Sequence, residues 1–112
     1  MKFNVLLPAT ALLALVQAAD VTIQYCGGKD YGDCVTRTSG HGDCVSLPDF
    51  NDRIQSVKIP ENVICVFWDN FSCQGSHTGT FSAQDKADMK DWNNKISSYR
   101  CCSGVSWCGN GL

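Results

Sequence analysis

The sequence predicts an all-β fold, and three observations support that prediction. Short segments in which β-branched or aromatic residues alternate with polar ones recur between clusters of Gly, Pro, Asn and Asp, as is typical of strands and turns. A segment that begins at Phe50 recurs from Trp92, 42 residues later, which indicates one supersecondary unit used twice. Eight cysteines in a short chain indicate a fold stabilised by disulfides.

The first part of the chain has the pattern of a secretory signal. Lys2 gives a basic start, residues 6–16 are mostly apolar, and Val16 and Ala18 are the small residues expected before a cleavage site. We therefore expect a signal peptide over residues 1–18, cleaved after Ala18 or Ala19, and one secreted, extracellular domain over residues 19–112. The apolar run is too short to cross a bilayer, so we expect no membrane span.

The charge balance disfavours two classes of partner. The whole chain has a formal charge of −2, and removal of Lys2 makes it one unit more negative. There is no basic run to follow a phosphate backbone, so we expect no nucleic-acid partner. Adhesion to an anionic membrane, as in cationic pore-forming peptides, is disfavoured for the same reason.

An even number of cysteines in a short secreted chain predicts a disulfide framework, worth roughly 2–4 kcal/mol per bridge. Zinc is the alternative, but the chain has no CxxC pair, and His41 and His77 lack ligand spacing, so we expect no metal centre. Eight cysteines allow about 105 pairings, which leaves the connectivity open. The predicted disulfide residues are Cys26, Cys34, Cys44, Cys65, Cys73, Cys101, Cys102 and Cys108.

In the first half, alternation predicts strands over residues 21–25, 34–38, 44–47 and 54–59. Residues 26–33 form a predicted glycine-rich hairpin, in which we expect at least two glycines at positive φ. In the second half, residues 63–68 form the strongest predicted strand, followed by a hairpin over residues 69–75. Further strands are expected within residues 76–81 and over residues 96–101. A capped helical turn is predicted over residues 82–89, and Cys108 is expected to anchor the tail, residues 103–112.

Two segments, Asn51-Asp52-Arg53-Ile54-Gln55-Ser56 and Asn93-Asn94-Lys95-Ile96-Ser97-Ser98, resemble the (Asn/Asp)-(Asn/Asp)-x-x-(Ser/Thr)-Ser signature of βγ-crystallin domains. That family also has two aromatics and a glycine in its first hairpin, and Trp68, Cys73 and Gly75 stand at that spacing, with cysteine in place of the second aromatic. In the first half, Tyr25 and Gly32 frame a looser match, with Tyr31 displaced by one residue.

The resemblance implies a double Greek-key β-sandwich, with one Greek key over about residues 20–60 and the other over about 61–102. It also implies that Trp68 packs beside Gly75 where the hairpin folds over its sheet. Calcium is the best known ligand of the family, bound partly by the serine at signature position five. Ser97 keeps that position, but Gln55 replaces it in the first copy, and Asn93 and Asn94 bring no carboxylate. We therefore expect no cofactor and no tight calcium site, and a weak calcium site stays open.

The sequence offers little for catalysis. His41 and His77 lie in predicted turns without a partner serine motif, and Asp85, Asp88 and Asp91 would share a solvated helical face. We expect no enzyme, although a small secreted hydrolase is one alternative. The Asn70-Phe71-Ser72 tripeptide is an N-glycosylation acceptor site.

Because some secreted microbial killer toxins are similar to βγ-crystallins, the leading interpretation is a toxin, antimicrobial or effector. We expect it to act as a monomer that binds an unknown extracellular target, which could be a cell surface, a cell wall or a host protein. The alternative is an extracellular structural or weakly calcium-binding protein without a toxic target.

Overall fold

The structure, a computed structural model, describes residues 20–82, 85–105 and 108. The predicted signal peptide lies outside these residues, as does most of the tail after Val105. Eight strands follow one another in the described part: β1 Val21–Cys26, β2 Cys34–Ser39, β3 Cys44–Ser46, β4 Ser56–Lys58, β5 Val63–Trp68, β6 Phe81–Ser82, β7 Asp85–Lys86 and β8 Ser98–Ser103. No helix in these residues is long and apolar enough to cross a membrane.

The strands form two antiparallel four-stranded sheets. The first sheet has the order β2-β1-β4-β7 and the second the order β3-β8-β5-β6. Each sheet takes three strands from its own half of the chain and the fourth from the other half, since β7 joins the first sheet and β3 the second. The two halves are therefore hydrogen-bonded into one unit.

The 42-residue repeat seen in the sequence is also a repeat of structure. Strand β1 corresponds to β5, and the tight turn at Lys29–Tyr31 corresponds to the turn at Phe71–Cys73. Backbone hydrogen bonds repeat with the same offset: Asp52 N donates to Ile96 O, and Asn94 N donates to Ile54 O, both at 2.9 Å. The signature segments thus bind each other across the pseudo-twofold axis of the sandwich.

A row of aromatic rings runs through the core between the sheets. Tyr99 lies at its centre, with ring centroids 5.8 Å from both Tyr25 and Phe67. Phe50 meets Tyr25 edge-on at 5.1 Å, and Phe81 meets Phe67 at 5.7 Å. Large buried rings supply much of the apolar burial available to a small domain.

Several boundaries differ from the prediction. Residues 54 and 55 precede β4 instead of belonging to it, although Ile54 is fully buried, because its carbonyl binds Asn94 and not a ladder partner. The last strand begins at Ser98 rather than at residue 96. Between residues 76 and 81, His77 makes only an isolated bridge with Trp68, and β6 begins at Phe81.

The predicted helical turn over residues 86–89 is wrong. Asp85 and Lys86 pair with β4 and complete the first sheet, so tertiary pairing overrides the local helical signal. The Asp88 carboxylate then accepts a hydrogen bond from Lys90 N at 2.8 Å, which starts a single tight turn at Lys90–Trp92. Residues 83 and 84 of the predicted cap lie outside the described part.

Candidate functional site

The last serine of each signature copy ties a hairpin to its sheet. Ser98 Oγ donates to Asn70 O at 2.5 Å and accepts from Cys73 N at 2.9 Å. Its equivalent, Ser56, donates to Gly28 O at 2.6 Å and accepts from Tyr31 N at 3.1 Å. Both serines are fully buried. These two signature positions therefore bind backbone groups of the folded-over hairpins.

Each hairpin folds over its sheet through residues with left-handed backbone. In the second hairpin these are Ser72, Cys73 and Gly75, with φ of 62°, 54° and 92°. A side chain at Gly75 would displace the side-chain ends of Asp69 and Asn70, and its φ of 92° is a conformation that favours glycine. Trp68 is 3% exposed on this side of the sheet, in one cluster with Cys73, and its packing beside Gly75 stays a prediction.

The first hairpin corrects two predictions. Its positive φ angles belong to Asp30, Tyr31 and Asp33, whereas none of the glycines in residues 26–33 has a positive φ. With the 42-residue offset, Cys26, Tyr31 and Asp33 are the equivalents of Trp68, Cys73 and Gly75. Tyr31 is therefore in register and not displaced, and Asp33, with φ of 59°, takes the place of the expected glycine Gly32.

Signature position five differs between the two halves. Ser97 Oγ is hydrogen-bonded to Asn51 Oδ1 and lies 3.4 Å from Asp52 Oδ1, so three side-chain oxygens converge there from both halves. In the other copy, Gln55 Nε2 donates to Gly27 O at 2.9 Å.

The asparagines of that second copy also have structural roles. The Asn93 side chain donates to Asp88 at 2.7 Å and accepts from Met89 N at 3.1 Å. Asn94 takes a left-handed conformation with φ of 60°. Calcium needs six to eight oxygen ligands. The oxygens of Ser97, Asn51 and Asp52 could supply part of a calcium ligand set, with one carboxylate among them. The corresponding position in the other copy does not fit, because the Gln55 amide donates to Gly27 O.

All eight cysteines pair. The bridges are Cys26–Cys34, Cys44–Cys73, Cys65–Cys101 and Cys102–Cys108. The four predicted disulfides are thus present, and their connectivity, which the sequence left open, follows from the fold. Cys26–Cys34 closes the first hairpin, and Cys44–Cys73 ties the second hairpin to β3. Cys102–Cys108 holds the start of the tail against β8.

The histidines bond to backbone groups. His41 Nδ1 accepts from Ser103 N at 2.9 Å, and His77 Nδ1 bonds to the carbonyl of Thr78 at 2.8 Å. Among the described residues, no group of three or more His, Cys, Asp or Glu side chains could hold a metal ion. Asp85, Asp88 and Asp91 do not share a helix, because Asp85 lies in β7 and Asp91 in the following turn. The expectation that this protein is not an enzyme stays a prediction.

The outer faces of the two sheets differ in character. In the second sheet, Ile64, Val66 and Trp68 are buried on the outer side of β5 beneath the second hairpin and the Cys102–Cys108 bridge. The equivalent positions of β1 begin with Thr22, which is exposed, and Gln24, which is partly exposed. The outer face of the first sheet is therefore polar and open, while that of the second is apolar and covered.

A ladder of side-chain hydrogen bonds crosses this open face. Thr22 Oγ1 lies 2.7 Å from Thr38 Oγ1, and Gln24 Nε2 donates to Thr36 Oγ1 at 3.2 Å. Next in the sheet, Lys58 pairs with Gln24 and places its Nζ over the Tyr31 ring, 4.6 Å from the centroid. Sequence reasoning did not identify this surface; its signal was a neutral polar residue at alternate positions of the two strands, Thr22 and Gln24 in β1 and Thr36 and Thr38 in β2.

Comparison with known proteins identifies the fold. No protein-family model and no curated protein matches this sequence. Solved structures do match, among them the N-terminal domain of Protein S, which is 21% identical with a TM-score of 0.62 over 76% of this chain and 99% of that domain. A βγ-crystallin domain from Flavobacterium johnsoniae is 20% identical with a TM-score of 0.62, over 76% of this chain and 98% of its own. One from Clostridium beijerinckii is 19% identical with a TM-score of 0.60, over 75% and 99%.

This chain has the βγ-crystallin fold. The predicted all-β, double Greek-key, disulfide-stabilised sandwich is therefore confirmed. At these identities the similarity concerns the fold alone, and it gives no support to the narrower resemblance to killer toxins. The hydrogen bonds of Ser56 and Ser98 give the last position of each signature copy a structural role in this fold.

Proposed function

We propose that this protein is secreted and acts without catalysis, by binding a target on the surface of another cell as a toxin, antimicrobial or effector. Four disulfides in one small domain suit an oxidising, protease-rich extracellular space. The predicted signal peptide points to the same location. The binding surface in this proposal is the outer face of the first sheet.

The observation that carries the proposal is the contrast between the two outer faces. The second sheet has buried apolar residues where the first has Thr22 and Gln24, although both sheets are built from equivalent strands. An outer face that needed only solvation would tolerate charged side chains. On β1 and β2 this face instead has neutral hydroxyl and amide groups, joined across strands that lie about 4.8 Å apart, and its charged groups, Lys58 and Asp85, come from the neighbouring strands β4 and β7.

The chemistry of this face suits a polysaccharide of a cell wall. Threonine hydroxyls both donate and accept hydrogen bonds, as sugar hydroxyls do, and a glutamine amide does the same. Tyr31 adds an aromatic ring at one end of the face, held by Lys58. A sheet face on which hydroxyl and amide groups outnumber charged ones matches an extended polysaccharide better than an apolar protein surface.

The experiment has two readouts. The purified protein is added to fungal, bacterial and plant cells while growth and cell death are recorded, and its retention on insoluble cell-wall polysaccharides is measured. We expect Thr38→Glu and Thr22→Glu to lose retention and any cellular response together, because each places an unpaired charge in the ladder. Thr80→Glu, at an exposed threonine away from this face, is the matched control. No response and no retention on any sample would reject the proposal.

The second candidate function is an extracellular structural protein with a weak calcium site, favoured by the oxygens of Asn51, Asp52 and Ser97. One carboxylate in the donor set implies low affinity. Calorimetry at millimolar calcium should then show heat of binding that Ser97→Ala removes and Gln55→Ala retains. Silence of the unmodified protein at millimolar calcium would eliminate this candidate.

N-glycosylation of Asn70 remains a proposal. Asn70 and Ser72 are exposed in the second hairpin, and the intervening Phe71 is 45% exposed, so a glycan would cover an apolar side chain. Intact mass before and after endoglycosidase treatment of protein secreted from a eukaryotic host tests this, with Asn70→Gln as the control. An unchanged mass would reject it.

A further inference from the structure

A groove opens at the side of the sandwich where β2, the edge of the first sheet, faces β3 and the segment that follows it. Its volume is about 450 Å³. This lies within the range of about 300–1,000 Å³ that is typical of small-molecule sites. It is separate from the Thr22 ladder, because Val35 and Arg37 face the core side of the sheet while Thr36 and Thr38 face outward.

The walls of the groove are mostly apolar. Leu47 is 1% exposed and Tyr25 3% exposed, so the groove floor belongs to the core of the sandwich. The side walls carry larger apolar surfaces, including Val35, which is 38% exposed. The apolar lining residues are Tyr25, Val35, Leu47, Pro48 and Phe50.

Arg37 places a positive charge on the β2 side of the groove. It lines the groove from β2 and makes no ion pair among the described residues, whereas Arg53 binds Asp33 and Lys29 binds Asp88. A guanidinium binds carboxylates through paired, charge-assisted hydrogen bonds. An anionic group that entered the groove would therefore find a cation with no ion-pair partner to displace.

Tyr99 supplies a hydrogen-bond donor without a partner behind the Tyr25 wall. The residue is fully buried, and its hydroxyl has no hydrogen-bond partner in the described structure. Its ring lies 5.8 Å from that of Tyr25, and the charge of Arg37 acts on it. Burial raises the pKa of Tyr99 well above its ordinary value, so the hydroxyl stays protonated and is available to donate.

We propose that this groove binds a small amphipathic carboxylate, whose apolar chain or ring lies against Leu47, Pro48 and Phe50 and whose carboxylate pairs with Arg37. Tyr99 is not among the lining residues, so in this proposal its hydroxyl is the second donor through a water that enters with the ligand. A buried polar group without a partner costs free energy, and satisfying it on binding would favour an oxygen acceptor over a methyl group.

Asp49 provides a test of the ligand's charge. Its exposed carboxylate also lines the groove, on the wall opposite β2. It opposes an anionic ligand, so its removal should strengthen binding. A zwitterionic ligand, which would use both charges, makes the opposite prediction.

The probes are octanoate, octanol and octylamine, titrated into the ¹⁵N-labelled full mature chain. We expect octanoate to shift the amide signals of β2 and of residues 46–50, with octanol weaker and octylamine weakest. Arg37→Gln should weaken octanoate binding about 10-fold or more, as loss of a charge-assisted pair implies. Lys95→Gln, which removes an exposed cation elsewhere, should leave it unchanged.

Three further variants test the geometry. Asp49→Asn should tighten octanoate binding and Tyr99→Phe should weaken it, while Val35→Trp should block the groove from its exposed edge without altering the core. Equal binding of all three probes, retained octanoate binding in Arg37→Gln, or weaker binding in Asp49→Asn would overturn the proposal. The Thr22 ladder is untouched by these variants, so retention on polysaccharide separates this proposal from the proposed function.

Discussion

Replacing Ser98 by alanine should destabilise the protein far more than the same change at its equivalent, Ser56. Both hydroxyls bind one carbonyl and one N–H of a folded-over hairpin. The two hairpins differ in burial. Cys73 is 8% exposed, whereas Gly28 and Tyr31 in the first hairpin are both partly exposed to water.

This difference sets the size of the effect. A buried backbone group that loses its partner costs about 1–3 kcal/mol, and a group that water can reach costs much less. In Ser98→Ala, Cys73 N loses its partner in a buried place, and Asn70 O loses part of its hydrogen bonding, for a total of about 2–4 kcal/mol. In Ser56→Ala, water can replace the hydroxyl at both groups, for about 1 kcal/mol. The Cys44–Cys73 bridge keeps the second hairpin in place, so it cannot move away to find solvent.

Thermal unfolding with the disulfides intact measures the difference. For a domain of this size about 4–8 °C of Tm corresponds to 1 kcal/mol, so we expect a drop on the order of 10–25 °C for Ser98→Ala and about 5 °C for Ser56→Ala. Ser82→Ala, at an exposed serine of β6, is the control and should change Tm little. The reasoning is refuted if Ser98→Ala costs less than the control, or if Ser56→Ala costs more than Ser98→Ala.

Three other changes have outcomes that follow from the structure. Gly75→Ala should cost about 2–3 kcal/mol in denaturant unfolding, because it combines a φ of 92° with displacement of the Asp69 carboxylate from its hydrogen bond with Ser76 N, whereas Gly42→Ala, at φ of 79° in open space, should cost about 1 kcal/mol. Similar costs at the two glycines would contradict this. Replacing Cys44 and Cys73 by alanine opens a 29-residue separation and should cost about 3–4 kcal/mol; a loss under about 1 kcal/mol would count against the bridge. Because the pKa of Tyr99 is raised in the folded state, stability is fully present below the ordinary tyrosine pKa of about 10 and is lost as pH rises above it. Tyr99→Phe should therefore show a flatter loss of stability between about pH 10 and 11, and identical slopes would disprove the assignment.

Most strands of the fold could be predicted from the sequence because their patterns are strong. The strand at Val63–Trp68 was predicted with its correct bounds, since six consecutive apolar residues with β propensity are difficult to place elsewhere in a small domain. The repeat predicted the pairing of the two halves. The predicted helical turn at residues 86–89 was wrong because Asp85 and Lys86 pair with the open edge of β4, which no local pattern reveals.

The first hairpin shows a different limit of sequence reasoning. Glycines are the usual residues at positive φ, so the glycine-rich segment suggested them, but Asp30, Tyr31 and Asp33 take those conformations instead. The backbone shape is imposed by the Ser56 hydrogen bonds and by the Cys26–Cys34 bridge. The disulfide pairing and the groove beside Arg37 also depend on the way the sheets stack, which is tertiary information.

The two halves agree in backbone geometry and differ in what they present to the outside. Residues 42 apart have the same structural role in both halves. Ser56 and Ser98 are both fully buried, and Asp52 and Asn94 both have left-handed backbone. The same offset relates Thr22 to Ile64 and Gln24 to Val66, so equivalent outward positions are polar in one sheet and apolar in the other. Stability alone needs one covered outer face at most, because the core already lies between the sheets. The open face of the first sheet, with its hydroxyl and amide groups, is therefore the surface that is free to bind a partner in the proposed function. The buried serines of the signature, in contrast, stabilise the fold.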